Sequence, residues 1–392
     1  MNRTVVVGMA RTPFGKFGGA LSSFTAAELG AIAINEAIIR SKLEREMIDY
    51  VYMGHVLQAG CGQMPVRQAT RLAGLPWETV STSINKVCSS GMSAVAIGDM
   101  MIRLGQAKAV VAGGMESMSN VPYAIPKARF GARLGDTNIQ DLMVMDGLWC
   151  AFYDRHMAVH GSEVSKEFGI SRQEQDEWAV RSHLRASDAI NEGRMKDEDI
   201  PIKVKTKKGT IVVDADESVR PNTTLEVLSK LPSIFIENGT VTAGNAPGVN
   251  DGAAALVLMP EQEAKNQGIP ILATIIGHEE VSQEARYIAT VPALSAIKLL
   301  KRHSVNIQDI DIIEVNEAFA AVALISNKIV GWKPERVNVD GGAIAIGHPL
   351  GASGARIMIH TIQALRERGG GLGLACICSG AAQGNAILIR VE

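Results

Sequence analysis

The sequence predicts an α/β protein large enough for more than one sheet. Strand and helix signals alternate along both ends of the chain. Of its 392 residues, 39 are glycine and 46% are apolar but only 4% aromatic, a composition suited to helices lying close on sheets. A middle stretch, from about 119 to 248, is richer in charge and proline and interrupts the alternation.

Thr4–Gly8 is a β-branched run and reads as a strand. Thr25-Ala-Ala-Glu28 forms a capping box opening a helix through Arg40, because each side chain can satisfy the other's free amide. Tyr50–Val56 is a strand. Pro65–Leu72 is a helix with proline at its start and Gly74-Leu-Pro76 as its stop. Val80–Lys86 is a strand, Ser89–Leu104 a helix ended by Gly105, and Ala109–Gly113 a buried strand. In the middle, Ser171–Asn191 is a polar helix and Ile202–Val213 a lysine-rich β-like stretch. This region reads as an insertion lying over the core. Beyond Pro260 come helix Val291–Arg302, strand Ile310–Val315, helix Ala318–Ile329, strand Val337–Val339, helix Gly354–Arg366 and strands Gly371–Ile377 and Asn385–Val391. The strands are expected to run mainly parallel. The two flanking regions share size and element order, as an internal duplication would give.

The 39 basic and 41 acidic residues leave a formal charge of −2, with no basic block, so nucleic acid is not an expected partner. The apolar start of the chain is short and soon meets Arg11, unlike a secretory signal. Gly369–Ile389 carries no charge but holds six glycines with Ser379, Gln383 and Asn385, so it reads as two strands and a tight turn rather than a membrane span. Five cysteines, an odd number, fit reduced thiols in a cytoplasmic protein.

Four segments carry candidate chemistry. Cys88, in Asn85-Lys-Val-Cys-Ser-Ser-Gly91, sits where a strand ends and a helix begins; the free amides there favour an anion and should lower its thiol pKa. A buried, inert cysteine is the competing reading. His348 lies in Gly341-Gly-Ala-Ile-Ala-Ile-Gly-His-Pro-Leu-Gly-Ala-Ser-Gly354, where proline after it favours extended backbone. A histidine so held can pair with a thiolate or serve an oxyanion; the loop lacks the lysine of a P-loop. Asn316, in Glu314-Val-Asn-Glu-Ala-Phe319, can hold a hydrogen bond or a water in a site. Glu317 reads equally as acid chemistry or as an ordinary helix start. In Cys376-Ile-Cys-Ser-Gly380-Ala-Ala-Gln-Gly384, two cysteines without further spaced ligands argue against a metal site. Cys378, expected in a turn after a strand, is the better placed for chemistry.

In order and spacing these segments resemble the thiolase family. Ala10-Arg-Thr-Pro-Phe-Gly-Lys-Phe-Gly-Gly19 is similar to its N-terminal signature, and Thr240–Ala246 with Asn250–Ala254 to its return from loop to core. The resemblance implies a five-layered αβαβα fold of two similar halves: residues 1–118 with 249–269, and 270–392, with 119–248 an inserted coenzyme A-binding loop domain. It implies acetyl-CoA C-acetyltransferase activity, in which two acetyl-CoA give acetoacetyl-CoA and CoA, or the reverse, by a ping-pong route through acetyl-Cys88. His348 would hold Cys88 as a thiolate, Cys378 would take the α-proton, Asn316 would hold an oxyanion-site water, and the amides of Cys88 and Gly380 would serve the acyl-enzyme. Coenzyme A contacts would come from Leu148, His156, Met157, Arg220, Leu231, Phe235, Ala243, Pro247, Ala318 and Phe319. Pro247 stands where many relatives carry serine, removing one hydroxyl contact.

The family's final loop usually reads Cys-x-Gly-Gly-Gly; here it is Cys378-Ser-Gly-Ala-Ala382. The loop Gly277–Pro292, with Ile288, is expected to bound the acyl end. Also implied are a homodimer or homotetramer, a place in fatty acid metabolism, and coenzyme A thioesters as substrates with no cofactor. The alternatives are a degradative 3-ketoacyl-CoA thiolase of broader chain length and, from another class, a non-catalytic acyl-CoA or lipid carrier.

Overall fold

A computed structural model describes residues 2–392. The chain opens with β1 (Thr4–Arg11), α1 (Ala26–Ser41), β2 (Tyr50–Gly54), α2 (Pro65–Leu72), β3 (Val80–Ile84), α3 (Ser90–Arg103) and β4 (Val110–Ser117). The capping box forms as expected: Thr25 and Glu28 bond each other's backbone amides. The insertion carries α4 (Met157–Glu167), α5 (Arg172–Glu192) and the hairpin β5 (Ile202–Thr206) with β6 (Gly209–Val213). Then follow β7 (Asn250–Pro260), β8 (Ala273–Ser282), α6 (Val291–His303), β9 (Ile312–Val315), α7 (Ala320–Val330), α8 (Ser353–Glu367), β10 (Gly371–Ser379) and β11 (Gln383–Val391).

All the core strands join one ten-stranded sheet, nine of them on a continuous path in which two halves repeat a single strand order and the tenth, the two-residue Gly15–Lys16, pairing β7. The first runs β3-β2-β4-β7-β1. The second runs β9-β10-β11-β8, with Val337 bridging Ile313 in parallel where β3 stands in the first half. The halves meet through Thr4–Val6 of β1 against Ala273–Ile275 of β8. Helices follow the same plan: α1 corresponds to α6, α2 to α7, and α3 to α8.

α8 is buried without a break from Ser353 to Leu365, which requires neighbours on every side. It packs with α3 between the two half-sheets, where Met92, Val95, Ile357, Met358 and Ile362 share one core. α1 and α2 cover the far face of the first half. α6 and α7 cover the far face of the second. The result is five layers, αβαβα.

Three expectations are corrected. The strands are mixed rather than mainly parallel: β2/β3, β2/β4 and β9/β10 are parallel, whereas β1/β7, β1/β8, β4/β7, β8/β11 and β10/β11 are antiparallel. The three-residue turn between β10 and β11 can only reverse the chain. Gly277–Ser282 is part of β8, so only the remainder of Gly277–Pro292 is free to act as a loop before α6. Val337–Val339 makes isolated bridges only. The uncharged Gly369–Ile389 segment forms the expected pair of strands, and no helix among the described residues is long and apolar enough to cross a membrane.

Candidate active site

The segment after β3 turns sharply into α3. Val87 sits at φ 45°, a left-handed conformation that is costly for a β-branched side chain. Ser90 holds this turn, its Oγ accepting from the Lys86 amide at 2.8 Å and donating to the Val87 carbonyl at 2.6 Å. Cys88 is thereby delivered just ahead of α3, 7% exposed, with the amides of Cys88 itself and of Gly380 close enough to its sulfur to favour the anion. Sequence reasoning expects a lowered thiol pKa. Burial outweighs the amides and pushes the thiol up to about 12, with Glu116 adding to the effect. The resting group is a thiol.

His348 follows Gly347, whose φ is 120° and where a Cβ would lie 2.7 Å from the Asn250 side chain. Asn250 Oδ1 accepts from the His348 amide at 2.9 Å. The ring Nδ1 lies 2.6 Å from Ser353 Oγ, and that hydroxyl gives its own hydrogen to the Pro349 carbonyl at 2.9 Å. Ser353 must therefore accept from Nδ1–H, which leaves Nε2 a bare lone pair; this atom is buried and has no partner. Burial holds the imidazole neutral, its pKa down at about 3.

Cys378 lies at the end of β10, opposite Gly384, rather than in the turn itself. It is fully buried, and its thiol is pushed well up by burial and then by the nearby charge of Cys88. The turn Gly380–Ala382 keeps a glycine-like path with alanines, Ala381 at φ 60° and Ala382 at φ 51°. Ser379 Oγ donates to the Lys86 carbonyl and so ties this turn to the Cys88 loop.

Asn316 ends β9. Its backbone amide donates to the Cys376 carbonyl at 3.0 Å, while both polar atoms of its side chain are buried without a partner. Glu317 is neither a helix start, since α7 begins at Ala320, nor free for acid chemistry. It accepts from Trp178 Nε1, Ser182 Oγ and Asn338 Nδ2, each at 2.8 Å, and from the Ile344 amide at 3.1 Å. It fastens α5 of the insertion to the loop that carries His348.

Cys88, His348 and Gly380 share the wall of one cavity of about 480 Å³, within the usual range of small-molecule sites. Leu148, His156, Met157, Arg220, Phe235, Ala243, Pro247, Ala318 and Phe319 line it too, as does Ile288. The His156 and Phe235 rings stack, with centroids 3.8 Å apart. Three residues singled out from sequence are not on this wall. Cys378 and Asn316 are fully buried, and Leu231 lies behind Gly244. Sequence reasoning misses the apolar wall residues Met118, Val144, Ile234 and Leu350. They carry no local signal, since an apolar side chain lining a cavity reads like one filling a core.

Comparison with known proteins agrees with this architecture along the whole chain. The family model described as "Thiolase, N-terminal domain" matches residues 4–262, and "Thiolase, C-terminal domain" matches 269–391. An acetyl-CoA acetyltransferase of Escherichia coli (strain K12) is 45% identical over 391 residues, covering 100% of this chain and 99% of its own. One of Cupriavidus necator is 43% identical, covering 100% of both chains. Acetyl-CoA acetyltransferase 1 of Arabidopsis thaliana is 42% identical over 98% of this chain and 93% of its own. With a repeated five-layered core, a cysteine and a histidine delivered by matching loops of its two halves, and both family domains in sequence, this chain belongs to the thiolase family.

Proposed function

We propose that the chain is an acetyl-CoA C-acetyltransferase, condensing two acetyl-CoA to acetoacetyl-CoA and CoA and running the reverse thiolysis. One observation carries the reading: the Cys88 thiol and Gly380 share a cavity wall with an imidazole whose Nε2 is an unpartnered lone pair. The names of the relatives support the substrate.

In the first half-reaction His348 Nε2 takes the Cys88 proton as the sulfur attacks the thioester carbonyl. The amides of Cys88 and Gly380 stabilise the oxyanion. The carbon–sulfur bond to CoA breaks, the departing CoA thiolate takes the Cys378 proton, and acetyl-Cys88, a His348 cation and a Cys378 thiolate remain. In the second, Cys378 removes the α-proton of a new acetyl-CoA, with the Asn316-held water and His348 serving the enolate oxygen. The carbanion attacks acetyl-Cys88, and the leaving Cys88 sulfur recovers its proton from His348. The strongly raised thiol of Cys378 suits this task, because a strong base is needed for so weak a carbon acid.

Ile288 on the cavity wall favours short acyl groups. The reading includes a cytoplasmic location, a role in fatty acid metabolism, substrates limited to coenzyme A thioesters without a cofactor, and a homodimer or homotetramer. Two surfaces support self-association. β3 ends the sheet with one edge unpaired and Val80 50% exposed, and the insertion exposes Phe130 (81%) and Leu134 (98%).

Steady-state kinetics test the reading. Acetoacetyl-CoA thiolysis should show parallel-line, ping-pong patterns and exceed turnover of 3-ketodecanoyl-CoA. Intersecting patterns would refute the acyl-enzyme route, and equal turnover would favour the broad-range degradative enzyme.

A further inference from the structure

Glu116 lies next to the end of β4, beneath the loops that carry Cys88 and His348, fully buried. Its carboxylate accepts three backbone amides from both halves of the molecule. Oε2 takes Val56 N at 3.1 Å and Gly351 N at 2.9 Å, and Oε1 takes Leu57 N at 3.1 Å. Gly351 belongs to the His348 loop, which presses so close that a Cβ on Gly114 would lie 1.8 Å from the Gly351 carbonyl oxygen, and one on Gly54 2.6 Å from it. His55 Nε2 stands 3.5 Å from Glu116 Oε1, fully buried, with neither ring nitrogen bonded.

The titratable groups facing Glu116 come from three parts of the chain: His55 and Cys61 in the loop between β2 and α2, Cys88 ahead of α3 and Asp251 on β7. The His348 loop offers its Gly351 amide. Burial pushes the Glu116 carboxyl up to about 7 and holds His55 down at about 4. Glu116 therefore changes charge in the neutral range while its neighbour stays uncharged.

We propose that Glu116 is a positioning residue for the Cys88–His348 couple: its carboxylate fastens the His348 loop and brings a negative charge near the nucleophile. The inference rests on the acyl-transfer reading above. Above about pH 7 the carboxylate opposes the Cys88 thiolate; below it the protonated acid does not.

The test is the pH profile of Cys88 alkylation by iodoacetamide, read by mass spectrometry of its peptide, in wild type, Glu116→Gln and His55→Gln. The substituted amide in Glu116→Gln keeps one oxygen for the Val56 and Gly351 amides but carries no charge. Wild type and Glu116→Gln should react alike at about pH 6 and diverge above pH 7, the variant becoming about three- to ten-fold faster by about pH 8.5. His55→Gln should keep the wild-type profile, and Glu116→Gln should lower kcat for thiolysis. Coincident wild-type and Glu116→Gln profiles across the range would overturn the proposal, as would His55→Gln reproducing the whole divergence. Acetylation of wild-type Cys88 by acetyl-CoA is scored in parallel. Its absence would sink the acyl-transfer reading, whereas coincident profiles with acetylation intact sink only the role of Glu116.

Discussion

The turn that carries Gly380 stores conformational strain in two alanines, and they should respond differently to glycine. Ala381 and Ala382 both occupy the left-handed region, at φ 60° and 51°. Holding an L-residue there costs about 1–2 kcal/mol, and glycine removes that cost while losing about 0.5–1 kcal/mol more backbone entropy on folding. Ala381 is half-buried, so Ala381→Gly should stabilise the protein by about 0.5–1 kcal/mol. Ala382 is fully buried in the core of the second half, so Ala382→Gly also deletes a methyl worth about 0.8 kcal/mol and should come out near zero. Urea unfolding of the two variants at matched protein concentration measures the difference, and acetoacetyl-CoA thiolysis reports whether the Gly380 amide keeps its aim. Destabilisation by Ala381→Gly, or equal responses at both positions, would refute the assignment of strain.

Further expectations follow from the buried polar groups. His360 bridges Glu198, 3.1 Å from Nδ1, and Asp340, 3.3 Å from Nε2, and burial fails to offset these carboxylates, so its pKa is well above the ordinary value. Its contribution is complete below the unfolded value of about 6.5 and is lost as pH rises through the higher folded value. The wild-type unfolding midpoint should therefore fall into the alkaline range, and His360→Gln should lack that fall while costing about 3–5 kcal/mol near neutrality. A pH-independent wild type would contradict this. Ser353→Ala removes the acceptor that fixes the Nδ1–H tautomer of His348, and thiolysis kcat should drop about 10- to 100-fold with little change in KM; an unchanged kcat would refute the tautomer assignment. Glu317→Ala leaves Trp178, Ser182 and Asn338 without their shared acceptor, so it should raise the KM for coenzyme A and destabilise the fold by about 2–4 kcal/mol, read by kinetics and urea unfolding.

Much of this architecture is legible in sequence because its punctuation is local. Proline at residue 65, glycine at 74 and the Thr25–Glu28 box set helix ends that the fold keeps. The candidate residues Cys88 and His348, too, stand in glycine-bearing segments just ahead of helices. β7 is not legible: Ala253-Ala-Ala-Leu256 has weak strand propensity and becomes a strand only because β1 and β4 flank it. β8 is hidden by Gly277 and by the charged pair Glu279-Glu280, whose side chains find Arg302 and Lys86 across space. Strand direction depends on which strands neighbour one another, which no local pattern encodes. The raised Cys88 thiol escapes a sequence reading for a related reason. A helix start is visible in sequence, but the burial that overrides it is not.

Cys88 is proposed to carry the acyl group between two coenzyme A thioesters. Mixing the protein with acetyl-CoA, quenching in acid and digesting should yield the Cys88 peptide heavier by one acetyl group, with none on that peptide in Cys88→Ser. An acetyl group found on Cys376 or Cys378 instead, or no modification while acetoacetyl-CoA is still cleaved, would contradict it.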